Sequence, residues 1–330
     1  MVQRFSSRLS LAAVAVGLAA LAAMPAAAQT KLRIAYATAQ TSHYGAGATA
    51  FGEEVSKLTG GRITVEHFPN SVLGGEREVI EGLQLGTIDL TTTSTGPVGN
   101  FVPDTLIFDV PFLFKDRAHA HAVLDGPIGQ AILDKFPARG LQALAWSENG
   151  FRHLTNSRRS VTNPTEMKGL KLRTMENEVH MQAFRTLGAL PTPMAFTELF
   201  TALQQGTVDG QENPIPVIVS AKFSQVQKHL TLTGHVYSPA LFLMSKASFD
   251  KLSADDKKAV QAAGKVGAKA QRDKVAEFEA NGIEELRKQG MTVVTDIDNS
   301  AFKASLKPAY EVYAKKFGQD KLDAISNYKP

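Results

Sequence analysis

The stretch "SADDKKAVQAAGKVGAKAQRDKVAEFEANGIEELRKQG" runs from Ser253 to Gly290 without a proline. Ser253 followed by Asp256 opens it with a capping-box pattern. A helix of this length far exceeds the mean of about 11 residues. It would cross more than one lobe rather than lie on a single layer, with Gly264 and Gly267 as places where it could bend. The rest of the chain must supply the layers it crosses. "KLRIAYATA" reads as a buried strand bounded by Gln40–Tyr44, and Ala48, Phe51, Val55 and Leu58 then recur at helical spacing until "TGG". "RITVEHF" alternates as a strand, "EREVIEGLQLG" is helical and closed by Gly86, and "TIDLTTTS" is the next strand. A second alternating block begins near "LQALAWSENGFRHLTNS". It holds the strand "GLKLRTM", helices through Met181–Leu187 and Thr197–Gly206, and "LTLTGHVYS". Such alternation predicts an α/β sheet with crossover connections.

The N-terminus decides the compartment. Arg4 and Arg8 precede "LSLAAVAVGLAALAA", and "PAAAQT" offers an Ala-x-Ala site ending at Ala28. Charged, apolar and then small residues is the order of a secretory signal peptide. The apolar run is too short for a spanning helix of about 20 residues. Residues 1–28 are therefore expected to be cleaved after Ala28, leaving a soluble, exported chain of about 300 residues, enough for two domains. Losing the two arginines lowers the formal charge from +4 to +2, too near balance to serve nucleic acid or an anionic membrane. With no cysteine, the chain has neither disulfides nor thiolate chemistry. Its stability rests on a core, which 43% hydrophobic residues can build.

Catalytic signatures are scarce. Gly45, Gly47 and Gly52 miss the G-x-G-x-x-G spacing and read as easing a strand-to-helix turn. His119 and His121 stand two apart in a helical stretch, so they read as surface histidines rather than a metal pair. Neither H-E-x-x-H nor G-x-S-x-G occurs. Glu198 and Asp209 could be paired as the acids of an exported hydrolase, but helix-start and turn roles suit them better. No reaction, cofactor or metal is expected. The arginines are more telling, since Arg173 sits between Leu172 and Met175 and Arg152 lies in "ENGFRHLTNS". A buried arginine is costly without an anionic partner. An internal acid could supply one, or a ligand carboxylate could match the planar guanidinium. Both readings stay open.

The chain carries, in order, "LGGEREVIEGLQLGTIDL", "PFLF", "ENGFRHLTNS", "MKGLKLRTMEN", "GALPTPMAFTELFTALQQGTVDGQENP" and "LTGHVYSPALFLMS". Together these resemble the substrate-binding proteins of TRAP transporters, in their dicarboxylate-type (DctP) branch, over nearly the whole mature chain. The resemblance implies an α/β fold with two lobes, a ligand cleft between them, crossing strands and a long lobe-spanning helix. Residues 29–149 plus 239–280 would form one lobe, and 150–238 plus 281–330 the other. It implies a periplasmic receptor that captures an organic acid and delivers it to membrane subunits; subunit number stays open, with a monomer as the default. C4-dicarboxylates, sugar acids and aromatic or hydroxy monocarboxylates all suit such a cleft, and a cation-assisted 2-oxoacid binder is the near alternative. Arg173 would hold the ligand carboxylate, Arg152 and Asn213 would assist, and Phe196 would line the pocket. Gly206 would end a helix, Asp209–Gly210 would turn the chain, and the Asn213 NH₂ could then donate to a carboxylate. Asp209 and Glu212 read as structural acids bonded to backbone or to a nearby arginine. Ligands sit outside the carboxyl ends of strands, which adds Ser42, His43, Thr93 and Ser94. Tyr237 is either a further ligand contact or a core tyrosine. His153, on the other side of its extended segment from Arg152, reads as structural.

Overall fold

The computed structural model describes residues 29–329; residues 1–28, and with them the expected signal peptide and its cut after Ala28, lie outside the described residues. Nine strands form one sheet: β1 Thr30–Ala35, β2 Ile63–Phe68, β3 Leu90–Ser94, β4 Leu141–Asn156, β5 Lys171–Thr174, β6 Leu190–Pro193, β7 Gly210–Pro214, β8 His229–Ser245 and β9 Thr292–Val294. Their order is β2-β1-β3-β8-β4-β7-β5-β6, with β9 paired to β8. β4 and β8, 16 and 17 residues long, run antiparallel from Leu141↔Ser245 to Asn156↔His229. β3 joins β8 along Ala240–Met244, and β7 joins β4 along Arg152–Asn156. Each long strand thus gives one end to a half built on β1–β3 and the other to a half built on β5–β7. The register shifts between Glu148 and Gly150, where Gly150 takes φ 118°, a left-handed value that favours glycine.

The long helix is real and unbroken, Ala254–Lys288. Its Val260, Ala263 and Ala268 pack with Phe51 and Phe242 in the first half, while Leu286 packs with Leu203, Ile218 and Leu230 in the second. Its glycines serve close approach rather than bending. A Cβ on Gly267 would stand 2.8 Å from the Gly47 carbonyl, and one on Gly47 would stand 3.0 Å from the Gly267 carbonyl. Gly47 therefore lies inside helix His43–Leu58 at a helix crossing, not in the turn before it.

The chain end departs from the expected division. Phe302 packs with Leu154, Met167 and Leu172 of the second half. Leu306, Ala309, Tyr313 and Ile325 instead share a core with Ile107, Val123 and Phe136 of the first. Tyr313 Oη also donates to the Val179 carbonyl at 2.8 Å, so this segment straddles both halves. The histidines expected at the surface are likewise placed otherwise. His119 is buried edge-on against Phe114, and His121 Nε2 lies 3.0 Å from the buried Glu148 carboxylate.

Candidate functional site

The carboxyl ends of β1, β3, β5 and β7 converge where β4 passes between the halves. A narrow cleft lies there, its walls leaving room for water of only about 20 Å³. Ala37, Thr38 and Ser94 come to it from the first half, and Arg173, Met175 and Asn213 from the second. Asn149 enters from the β4 crossing, Glu76 and Phe196 from the first residues of their helices, and Tyr44 and Val217 from two others.

The two arginines resolve their burial in opposite ways. Arg152 is fully buried, and its Nε meets Glu212 Oε2 at 2.5 Å while its Nη2 meets Oε1 at 2.9 Å. The same Nη2 donates to Asn213 Oδ1 at 3.3 Å. Burial alone would raise the Glu212 pKa, but Arg152, with His180 and His235, holds it well below the ordinary carboxylate value. Glu212 is the internal acid that one sequence reading required. Arg173, only 1% exposed, has no such partner among the described residues. Its Nε and Nη2 donate to the Met194 carbonyl at 2.9 and 2.7 Å, while its buried Nη1 finds no acceptor there. Burial, opposed by Glu212, lowers its pKa to about 10, so it remains a cation at neutral pH. An arginine lining a cleft with a donor to spare can take an anion.

The remaining expected residues divide by where their polar atoms are spent. Asn213, Phe196 and Ser94 line the cleft with Arg173. Asn213 Nδ2 already donates to Gln211 Oε1 at 2.5 Å, and Ser94 Oγ lies 3.4 Å from Met175 Sδ. Arg152, Thr93, Ser42 and His43 stand one residue behind. Thr93 Oγ1 donates to Glu76 Oε1 at 2.7 Å. Ser42 caps the helix through Gly45 N and bonds Thr38 Oγ1 at 2.6 Å. His43 Nε2 bonds Asn149 Oδ1 at 2.9 Å. Tyr237 lies in the core, edge-on to Phe114 and Phe151. His153 takes a structural place, accepting from Gly234 N at 3.0 Å. Asp209 accepts from Lys171 N at 2.9 Å and pairs with Arg158.

Glu76 is the residue that sequence reasoning missed. It is the first residue of its helix, and only the sheet order brings it to the cleft. Burial raises its pKa, while Thr93 and Arg173 pull it down. Tyr44, Asn149 and Met175 carried no signal of their own.

Two α/β halves joined by through-running strands, with an anion-competent pocket between them, define a bilobal solute-binding protein. The chain belongs to the DctP family, described as bacterial extracellular solute-binding protein family 7, whose model matches residues 34–316. It is 59% identical over 300 residues to a solute-binding protein of Verminephrobacter eiseniae, covering 91% of this chain and 90% of that one. A TRAP periplasmic solute-binding protein from Polaromonas sp. JS666, bound to D-erythronate, superposes with a TM-score of 0.90 at 58% identity, over 92% of this chain and 100% of that one. A second, from Bordetella, with density attributed to pantoate, gives 0.90 at 56% identity and the same coverage. All three are solute-binding proteins, the two solved ones periplasmic and of TRAP transporters, and none is an enzyme, which removes the Glu198–Asp209 hydrolase.

Proposed function

We propose that this chain captures a hydroxylated monocarboxylic acid in the periplasm and delivers it to TRAP membrane subunits, the ligand carboxylate resting on Arg173. The observation that carries this is the buried, unpartnered Arg173 Nη1 in a lining residue of the cleft. Glu76 narrows the ligand class. It lines the same cleft as Arg173 and can accept hydrogen bonds from ligand hydroxyls. A second ligand carboxylate beside it would meet a like charge. The D-erythronate and pantoate named for the two similar structures are both hydroxy monocarboxylates. Arg152 acts from behind by holding Glu212 and Asn213, and the long helix and crossing strands carry the closure of two lobes around the ligand. The lobes are 29–149 plus 239–280 against 150–238 plus 281–305, with the last helices bridging them. The working protein is a monomer that begins at Gln29 after signal cleavage.

Calorimetric titration of the purified protein with D-erythronate, pantoate and succinate tests the reading. The hydroxy monocarboxylates should bind at least tenfold more tightly, about 1.4 kcal/mol, than the dicarboxylate. Tighter binding of succinate would overturn the ligand class, and binding of none of the acids would overturn the receptor assignment. N-terminal sequencing of periplasmic material should begin at Gln29.

A further inference from the structure

The cleft continues outward into a groove of about 260 Å³, lined by Arg77, Glu78, Pro97, Glu176, Pro193 and Glu198, among others. Inner cleft and outer groove share four residues: Glu76, Arg173, Met175 and Phe196. These four are the partition. Three are anchored within their own half: Glu76 by Thr93, Arg173 by the Met194 carbonyl, and Phe196 edge-on to Phe223. Met175 is different. It follows β5 in the second half, yet its Sδ lies 3.4 Å from Ser94 Oγ of the first. A Cβ on Gly96 would stand 2.4 Å from that sulfur and 2.5 Å from Cε, so only a glycine leaves the thioether its place. The Met175 side chain thus spans the gap between the halves, and it is 4% exposed.

Resting on the hydroxy-acid reading above, we infer that Met175 sets the length of the ligand. With its carboxylate on Arg173, a short hydroxy acid would stay on the inner side of the partition once the lobes part to admit it. A longer polyhydroxy chain runs into the thioether before it reaches the polar groove beyond. That groove could serve such a chain, since Arg77 and Glu176, paired at 3.2 Å, offer hydroxyls both a donor and an acceptor. Met175 therefore acts by exclusion. Shortening it should join the two spaces without touching the carboxylate site.

The test is titration of wild type, Met175→Ala and Met175→Leu with D-erythronate, which has four carbons, and galactonate, which has six. Wild type should prefer erythronate. Met175→Ala should shift the ratio of the two affinities toward galactonate by roughly tenfold, the scale on which a methylene-sized change discriminates in a closed pocket. Met175→Leu, which conserves volume, should keep the wild-type ratio within about threefold. If Met175→Ala does not fold, Met175→Val carries the same expectation. An unchanged ratio in a folded, shortened variant that still binds erythronate overturns the length filter and leaves the receptor reading intact. Failure of wild type to bind either acid overturns both.

Discussion

Removing Arg173 should abolish most binding while leaving the empty protein close to its original stability. In the proposed complex Nη1 and a ligand carboxylate form a desolvated, charge-assisted contact in a closed cleft. Truncating one partner of such a pair costs roughly 2–5 kcal/mol, which is on the order of 30- to 3,000-fold in affinity at about 1.4 kcal/mol per decade. The fold loses less. Arg173→Ala frees the Met194 carbonyl from two hydrogen bonds, each worth about 1 kcal/mol net. It also relieves the burial of a cation with no acid of its own, which offsets part of that loss. Arg173→Lys should also bind weakly, because an ammonium cannot hold Met194 and a carboxylate in one planar fork. Calorimetric titration with D-erythronate and a thermal melt on the same preparation separate the two effects. Affinity within about threefold of wild type, together with a melting point lowered by many degrees, would show that Arg173 is a structural cation and would refute the reasoning.

Arg152→Ala should show the opposite signature. Stranding Glu212 in the core costs about 3–5 kcal/mol of stability, and a denaturant midpoint equal to wild type would contradict it. His43, whose pKa burial lowers to about 4, gives a pH-dependent term. The unfolded chain takes up that proton near pH 6.5 and the folded chain does not, so stability is complete above pH 6.5 and falls between there and about 4, by as much as about 3 kcal/mol. His43→Gln should make the urea-midpoint curve shallower across that window, the remaining slope coming in part from His153, whose pKa burial lowers to about 3, and a slope identical to wild type would exclude the assignment. Gly267→Ala places a Cβ 2.8 Å from the Gly47 carbonyl and 3.0 Å from Phe51 and Phe242, which should cost about 1–3 kcal/mol. An unchanged melting point would mean that the two helices separate freely.

What the sequence made legible follows the range of the physics involved. Helix 76–85 and its Gly86 stop, helix 196–205 and its Gly206 stop, and the long helix are local events, and all stand where the sequence puts them. The length of β4 is not read from the sequence, since its continuity through Gly150 rests on pairing with β8 on both sides of that glycine. At the cleft, the rule about strand ends found the right places but not always the right side chains. Ser42 and His43 follow β1, yet capping consumes the Ser42 hydroxyl and Asn149 holds the His43 ring. Thr93 and Ser94 alternate on β3, so only the latter lines the cleft, while the former turns to Glu76. Glu76 itself needed the order β1-β3-β8, a long-range fact, before a helix-start acid could become a pocket wall.

The contrast between the arginines also explains why a binding cleft would keep one of them without an acid. Had Arg173 its own carboxylate, an incoming ligand would have to displace that partner, and the exchange of one ion pair for another would return little free energy. Arg152 and Glu212 are such an ion pair, both fully buried and mutually bonded, and they fix Asn213 through the same guanidinium, although Arg152 Nη1, like Arg173 Nη1, has no acceptor among the described residues. Among the described residues Arg173 hydrogen-bonds the neutral Met194 carbonyl and no carboxylate. The burial that lowers its pKa to about 10 is a cost that a ligand anion relieves. In the proposed complex, affinity would come from neutralising Arg173, and discrimination from Glu76, which would disfavour a second charge, and from Met175, which would limit length. Each of the three can be altered without removing the other two.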